Sequence, residues 1–153
     1  MVGVRFSRIA EQKSTELANS LVKKLMESPR TTAYKSMPVE SLQEDYRAFL
    51  VNLTEWLLYR TGADIEERFT ELGSVRARQG VPLEQCVFAL LACRDHLVSY
   101  LRHEATQQSI HGKGVELFGE LEFVVAVSHF FDDAIFFCMR GYKNHQPMAE
   151  RVA

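Results

Sequence analysis

"RARQGVPLEQC", residues 76–86, sets two arginines, a glycine, a proline, an acid and a thiol between two segments of helical spacing. Such residue types can furnish an active-site loop or a corner between helices. Their order favours the corner. Gly80 stands where a helix ending near Gln79 needs a left-handed residue, and Arg76 and Arg78 lie in its last turn against the negative end of the helix dipole. Pro82 suits the first turn of a following helix, and Glu84 falls at its favourable N-terminal end. The stretch therefore predicts a helix hairpin.

Working outward, the helix before the corner, about Ala63 to Gln79, presents Ile65, Phe69, Leu72 and Val75. The helix after it runs to about Gln108 and aligns Leu83, Val87, Leu90, Leu91, Leu97, Val98 and Leu101. Upstream, a helix from about Ser7 to Glu27 carries Ala10, Leu17, Leu21 and Leu25 and stops before Pro29. A second begins near Val39 to Ser41, stripes Leu42, Tyr46, Phe49, Leu50, Leu53, Trp56 and Leu57 at i, i+3, i+4 spacing, and is ended by Gly62. Downstream, the turn "SIHGKG" leads into a last helix, Val115 to about Tyr142. Its apolar residues, among them Phe118, Leu121, Phe123, Val127, Phe130, Phe131 and Phe136, are distributed almost all round. A helix of that kind is surrounded by others or covered by a second subunit. The pattern predicts an all-α bundle of about five helices over residues 1–142, with 143–153 a polar tail or connector. Periodicity leaves a globin-like arrangement of the same stripes open.

The chain has 153 residues, 46% of them hydrophobic and 25% charged, which fits one globular domain. Eighteen basic residues stand against 20 acidic ones, for a formal charge of -2, with no dense Lys/Arg run. The electrostatic footprint of a nucleic-acid binder is missing. Three cysteines, Cys86, Cys93 and Cys138, are an odd number without CxxC spacing, as expected of reduced thiols in the cytoplasm. The N-terminus turns polar too soon for a signal peptide. Glu122, His129, Asp132 and Asp133 interrupt the apolar stretch from Leu121 to Met139, so it reads as a buried helix and no membrane partner is expected.

Arg94 shares its expected helix face with Leu90, Leu91, Leu97 and Leu101, and a guanidinium placed there needs a counter-charge. Asp132 or Asp133 of the last helix is the expected partner in a structural ion pair. The functional alternative is a ligand-binding site at Arg94 and His129. Arg76, at the edge of its own stripe, raises the same question more mildly. His96 and His103 lie seven apart, and His129 and Asp133 are four apart. The ExxH pairs of a di-iron bundle are absent, so no metal site is expected. His129 beside Phe130 and Phe131 is the one place for a haem ligand, yet a histidine among aromatics is more often a core residue. No P-loop, GxGxxG or nucleophile–base signature occurs, so the sequence predicts neither an enzyme nor a cofactor.

Three stretches in this order are distinctive: "TTAYKSMPVESL" (31–42), "RFTELGSVRARQGVPLEQCVFALLACR" (68–94) and "HFFDDAIFFCMRGY" (129–142). Together they resemble the N-terminal domain of the RsbT co-antagonist RsbRD family, over most of the chain from the first helix to Tyr142. Domains of this kind stand at the front of bacterial stress-response regulators, sensor kinases and transcription regulators. The resemblance implies an all-helical, non-catalytic input domain that feeds an output module, either fused or a separate protein partner, and supplies no active site to transfer. This chain stops at Ala153 without such a module, as an excised domain or a stand-alone relative would. The expectation is a cytoplasmic domain that relays a signal through protein contacts as a homodimer, the alternative being a small-molecule or haem sensor.

Overall fold

A computed structural model describes residues 4–108 and 113–145, and among these every regular element is helical. The fold is an all-α bundle of α1 (Val4–Gln12), α2 (Ser14–Glu27), a 3-10 helix (Thr32–Ser36), α3 (Val39–Leu50), α4 (Leu53–Leu58), α5 (Gly62–Arg78), α6 (Leu83–Gln108) and α7 (Lys113–Asn144). Two of the expected helices are each divided. The first breaks at Lys13, although its carbonyl still accepts from the Leu17 amide at 2.9 Å. The second breaks at Val51 and Asn52, where the Asn52 backbone leaves helical geometry.

Both breaks bring α1 against α4. Leu53 and Thr54 are fully buried there, and the Ser7 hydroxyl lies 2.7 Å from the Thr54 hydroxyl, which donates to Glu11 Oε1 at 2.9 Å. A straight α3 carried through to Leu58 would point these residues elsewhere, because 100° per residue fixes their heading once the helix has begun. The α5 start is held by a capping box: the Asp64 amide donates to Thr61 Oγ1 at 3.2 Å, and the Thr61 amide donates to Asp64 Oδ2 at 2.9 Å. These bonds keep the Asp64 carboxyl below the usual carboxylate range.

At the centre Phe49, Trp56, Phe69, Phe130 and Phe131 join α3, α4, α5 and α7, with neighbouring ring centroids 5.3 to 6.3 Å apart. Most of these pairs meet edge to face, the arrangement that the ring quadrupoles favour. The closest helix pair is α5 with α7. A Cβ added at Gly73 would stand 1.9 Å from the Cys138 carbonyl oxygen, and one at Gly141 would stand 2.0 Å from that of Thr70. Two glycines thus let the two backbones touch.

The buried line on α6 runs through Cys86, Ala89, Leu90, Cys93, Leu97 and Leu101. It is rotated from the expected stripe, so Val87, Leu91 and Arg94 fall on its flanks. On α7 the line Phe123, Val127, Phe130, Ala134, Cys138 faces the core, while Leu117, Phe118, Leu121, Val125 and Phe136 are each more than half exposed. The all-round apolarity read from the sequence is therefore two faces, of which the single chain covers one. No described helix is long and apolar enough to cross a membrane. Of the expected turn 109–114, Lys113 and Gly114 belong to α7, as do Lys143 and Asn144 of the expected tail 143–153; residues 109–112 and those beyond 145 lie outside the described residues.

Candidate functional site

The corner within residues 76–86 is a complete Schellman motif. Gly80 has φ +74°, its amide donates to the Ala77 carbonyl at 3.1 Å, and the Val81 amide donates to the Arg76 carbonyl at 3.1 Å. Pro82 stands one residue ahead of α6, and its carbonyl accepts from the Gln85 and Cys86 amides at 3.0 and 3.2 Å. With Gln79 donating to Val75, the Val75, Arg76 and Ala77 carbonyls at the end of α5 are all satisfied.

Around that corner the three distinctive stretches meet. Gln85 Oε1 accepts from the Ala33 amide at 2.8 Å, and its Nε2 donates to the Thr32 hydroxyl at 3.2 Å, fastening the 3-10 helix to the start of α6. The Arg76 guanidinium lies 5.5 Å from the centre of the buried Tyr34 ring. From the other side, the Tyr142 hydroxyl donates to the Val81 carbonyl at 2.6 Å, tying the end of α7 to the turn. Thr31 closes the assembly, donating from its buried hydroxyl to the Leu25 carbonyl at 2.6 Å. Gln85 of the second stretch bonds to the backbone of the first, and Tyr142 of the third to that of the second, which gives the three a physical reason to occur together.

Beneath the corner lies a cavity of about 190 Å³. Tyr34, Tyr46 and Arg76 line it, as do all three cysteines, and Phe49, Phe69 and Phe131 supply an aromatic wall. Burial pushes the Cys86 and Cys93 thiols up to about 12 and the Cys138 thiol up to about 11. They are therefore neutral thiols and poor nucleophiles at physiological pH. The Tyr34 hydroxyl is likewise raised by burial, against the opposing pull of Arg76, and burial raises Tyr46 well above its ordinary value.

Among the described residues Arg76 is the buried cation. It is 7% exposed and donates from Nη1 to Gln79 Oε1 at 2.9 Å. Arg94, expected in that role, instead donates to its neighbour Asp95 at 3.1 Å, with its side chain 30% exposed. Asp132, Asp133 and His129 are exposed on α7. The expected interior pair of Arg94 with Asp132 or Asp133 does not form, because the rotation of α6 takes Arg94 out of the core and α7 turns both acids outward. Nor do Arg94 and His129 share the cavity. Arg76, Gly80 and Pro82 do come together as expected. His96 is partly buried, with its pKa lowered by burial and by the nearby Lys24. Sequence reading missed Tyr34 and Gln85 as partners of the corner, since their sequence separation of about 50 residues leaves no periodic signal. The available cue was that both lie inside the distinctive stretches.

A comparison with protein families matches residues 15–148 to the RsbT co-antagonist protein rsbRD N-terminal domain. The chain belongs to this family. RsbRD N-terminal domains are stress-response signalling domains, and in this one the matched region takes in the corner, the cavity and the described part of α7. Comparisons with curated proteins and with solved structures found no match.

Proposed function

We propose that this RsbRD N-terminal domain is a non-catalytic, cytoplasmic input domain that works as a homodimer through α7 and passes a change to an output protein, fused or separate. The observation that carries the reading is the uncovered face of α7. At 100° per residue, Phe118, Leu121, Val125, Asp132 and Phe136 fall within an arc of about 60°, and the four apolar members are each more than half exposed. An apolar row along a helix whose other face fills the core is an interface in search of a partner. A second copy suits it, because two-fold symmetry sets the same row against itself and makes a self-complementary contact. The neutral, buried thiols support a role without nucleophilic chemistry, and the charge of -2 supports a protein partner over nucleic acid.

Sedimentation equilibrium tests the reading. The parent chain should sediment as a dimer, and Leu121→Glu combined with Val125→Glu should give a monomer with unchanged helical circular dichroism. A monomeric parent, or a double variant that stays dimeric, refutes the α7 dimer.

A further inference from the structure

The cavity beneath the corner has a cationic end and an apolar end. At the cationic end, Arg76 is more than nine-tenths buried, and its hydrogen bonds go to the neutral amide of Gln79 and to the neutral Tyr34 hydroxyl. Among the described residues no carboxylate lies within ion-pair distance of it. Burying a cation without a counter-charge is costly, and the Tyr34 ring and the carbonyl end of α5 offset only part of that cost. A guanidinium has five N–H donors in a planar fork that matches a carboxylate, so donors remain after Gln79 and Tyr34. At the apolar end stand Phe49, Phe69, Leu72, Leu90 and Phe131.

Volume and charge narrow the occupant. An apolar cavity of about 150 Å³ accepts benzene, whereas drug-sized ligands occupy roughly 300–1,000 Å³. At about 190 Å³, this one suits a body of one ring. Asp45 and Glu71 line the cavity and are exposed, which puts them at its mouth with the equally exposed Arg68. Glu71 is paired with Arg78 at 3.3 Å, so the entrance is close to neutral, and the buried guanidinium inside matches one negative charge rather than a dianion such as a phosphate monoester.

We propose that this cavity is a binding site for a small monocarboxylate with an apolar body of about one ring, its carboxylate held by Arg76 and its body between Phe49, Phe69 and Phe131. The site differs from the one at Arg94 and His129 that the sequence suggested. It would supply the domain with a chemical input, yet it does not rest on the α7 dimer, since occupancy is measured at the cavity whatever the oligomeric state.

The test is calorimetric titration of the 153-residue chain with benzoate, benzyl alcohol and inorganic phosphate. Benzoate should bind saturably with one site per chain, benzyl alcohol at least about tenfold more weakly because it lacks the charge, and phosphate not at all. Arg76→Lys keeps the charge and loses the fork, and should weaken benzoate at least about tenfold while leaving benzyl alcohol unchanged. Leu72→Trp fills the cavity and should abolish both. Circular dichroism checks that each variant is folded, and if either is not, the three-ligand comparison on the parent decides by itself. No saturable benzoate binding, equal affinity for benzyl alcohol, or a folded Arg76→Lys that binds benzoate like the parent overturns the proposal.

Discussion

Gly73→Ala adds one methyl group at the tightest point of the fold, and the structure sets its size. The new Cβ would lie 1.9 Å from the Cys138 carbonyl oxygen, and 2.8 Å from both the Cys138 carbonyl carbon and the Tyr142 amide nitrogen. These are backbone atoms of α7, so no side chain can swing away. Restoring an ordinary contact of at least 3.4 Å requires α5 and α7 to part by more than about 1 Å, and a gap of that order already forfeits a quarter to a half of each dispersion contact along the crossing. Overpacking of this kind costs about 3 kcal/mol, and the better helix propensity of alanine returns about 1 kcal/mol. The net loss is then roughly 2 kcal/mol, a fall in melting temperature of about 4–8 °C for a chain of this size. Gly62→Ala is the matched control: it also lies in α5, nothing stands within 4 Å of its added Cβ, and it should be neutral or slightly stabilising. Urea and thermal unfolding followed by circular dichroism read both. A Gly73→Ala variant as stable as the Gly62→Ala control would show that α5 and α7 do not touch at this point.

Three further outcomes are expected. Gly80→Val should lose at least about 1–2 kcal/mol, since φ +74° forces a β-branched residue into the left-handed region; a melting temperature equal to the parent's would remove the Schellman assignment. Arg94→Ala should change stability by less than about 0.5 kcal/mol, because its pairing with Asp95 is local and solvated; a large loss in urea unfolding would restore an interior role. The thiols make stability fall in alkali. Above their ordinary value of 9.0 the unfolded chain sheds protons that folded Cys93, raised to about 12, retains, so Cys93 alone lowers stability by on the order of 1 kcal/mol between pH 8 and 10. Cys93→Ala should flatten the fall in urea midpoint over that interval, and an unchanged slope would contradict the buried, neutral thiol.

The helices were legible where local spacing governs them. The helices α5, α6 and α7, the stop before Pro29 and the corner at Gly80 all depend on residues within a turn or two of one another, and all appear. The two breaks, at Lys13 and at Val51–Asn52, were not legible, because α1 and α4 bend to meet each other through Ser7, Thr54 and Glu11 across more than 40 residues. The capping box of Thr61 and Asp64 is written in the sequence as "TGAD", where Gly62 also carries the signal of a helix end.

The site shows the same division more sharply. Sequence by itself determined the all-helical class, the Schellman corner and the surplus of apolar surface on α7, each a property of neighbours along the chain. Only the tertiary structure decided which arginine is interior. Arg94 and Arg76 both border apolar stripes, and a rotation of α6 by a fraction of a turn, set by packing against α7 and α2, leaves Arg94 beside Asp95 while the Schellman turn carries Arg76 in over Tyr34. Helical periodicity gives the phase of a stripe only to within about one residue, or 100°. That uncertainty is as wide as the difference between a surface ion pair and a buried cation.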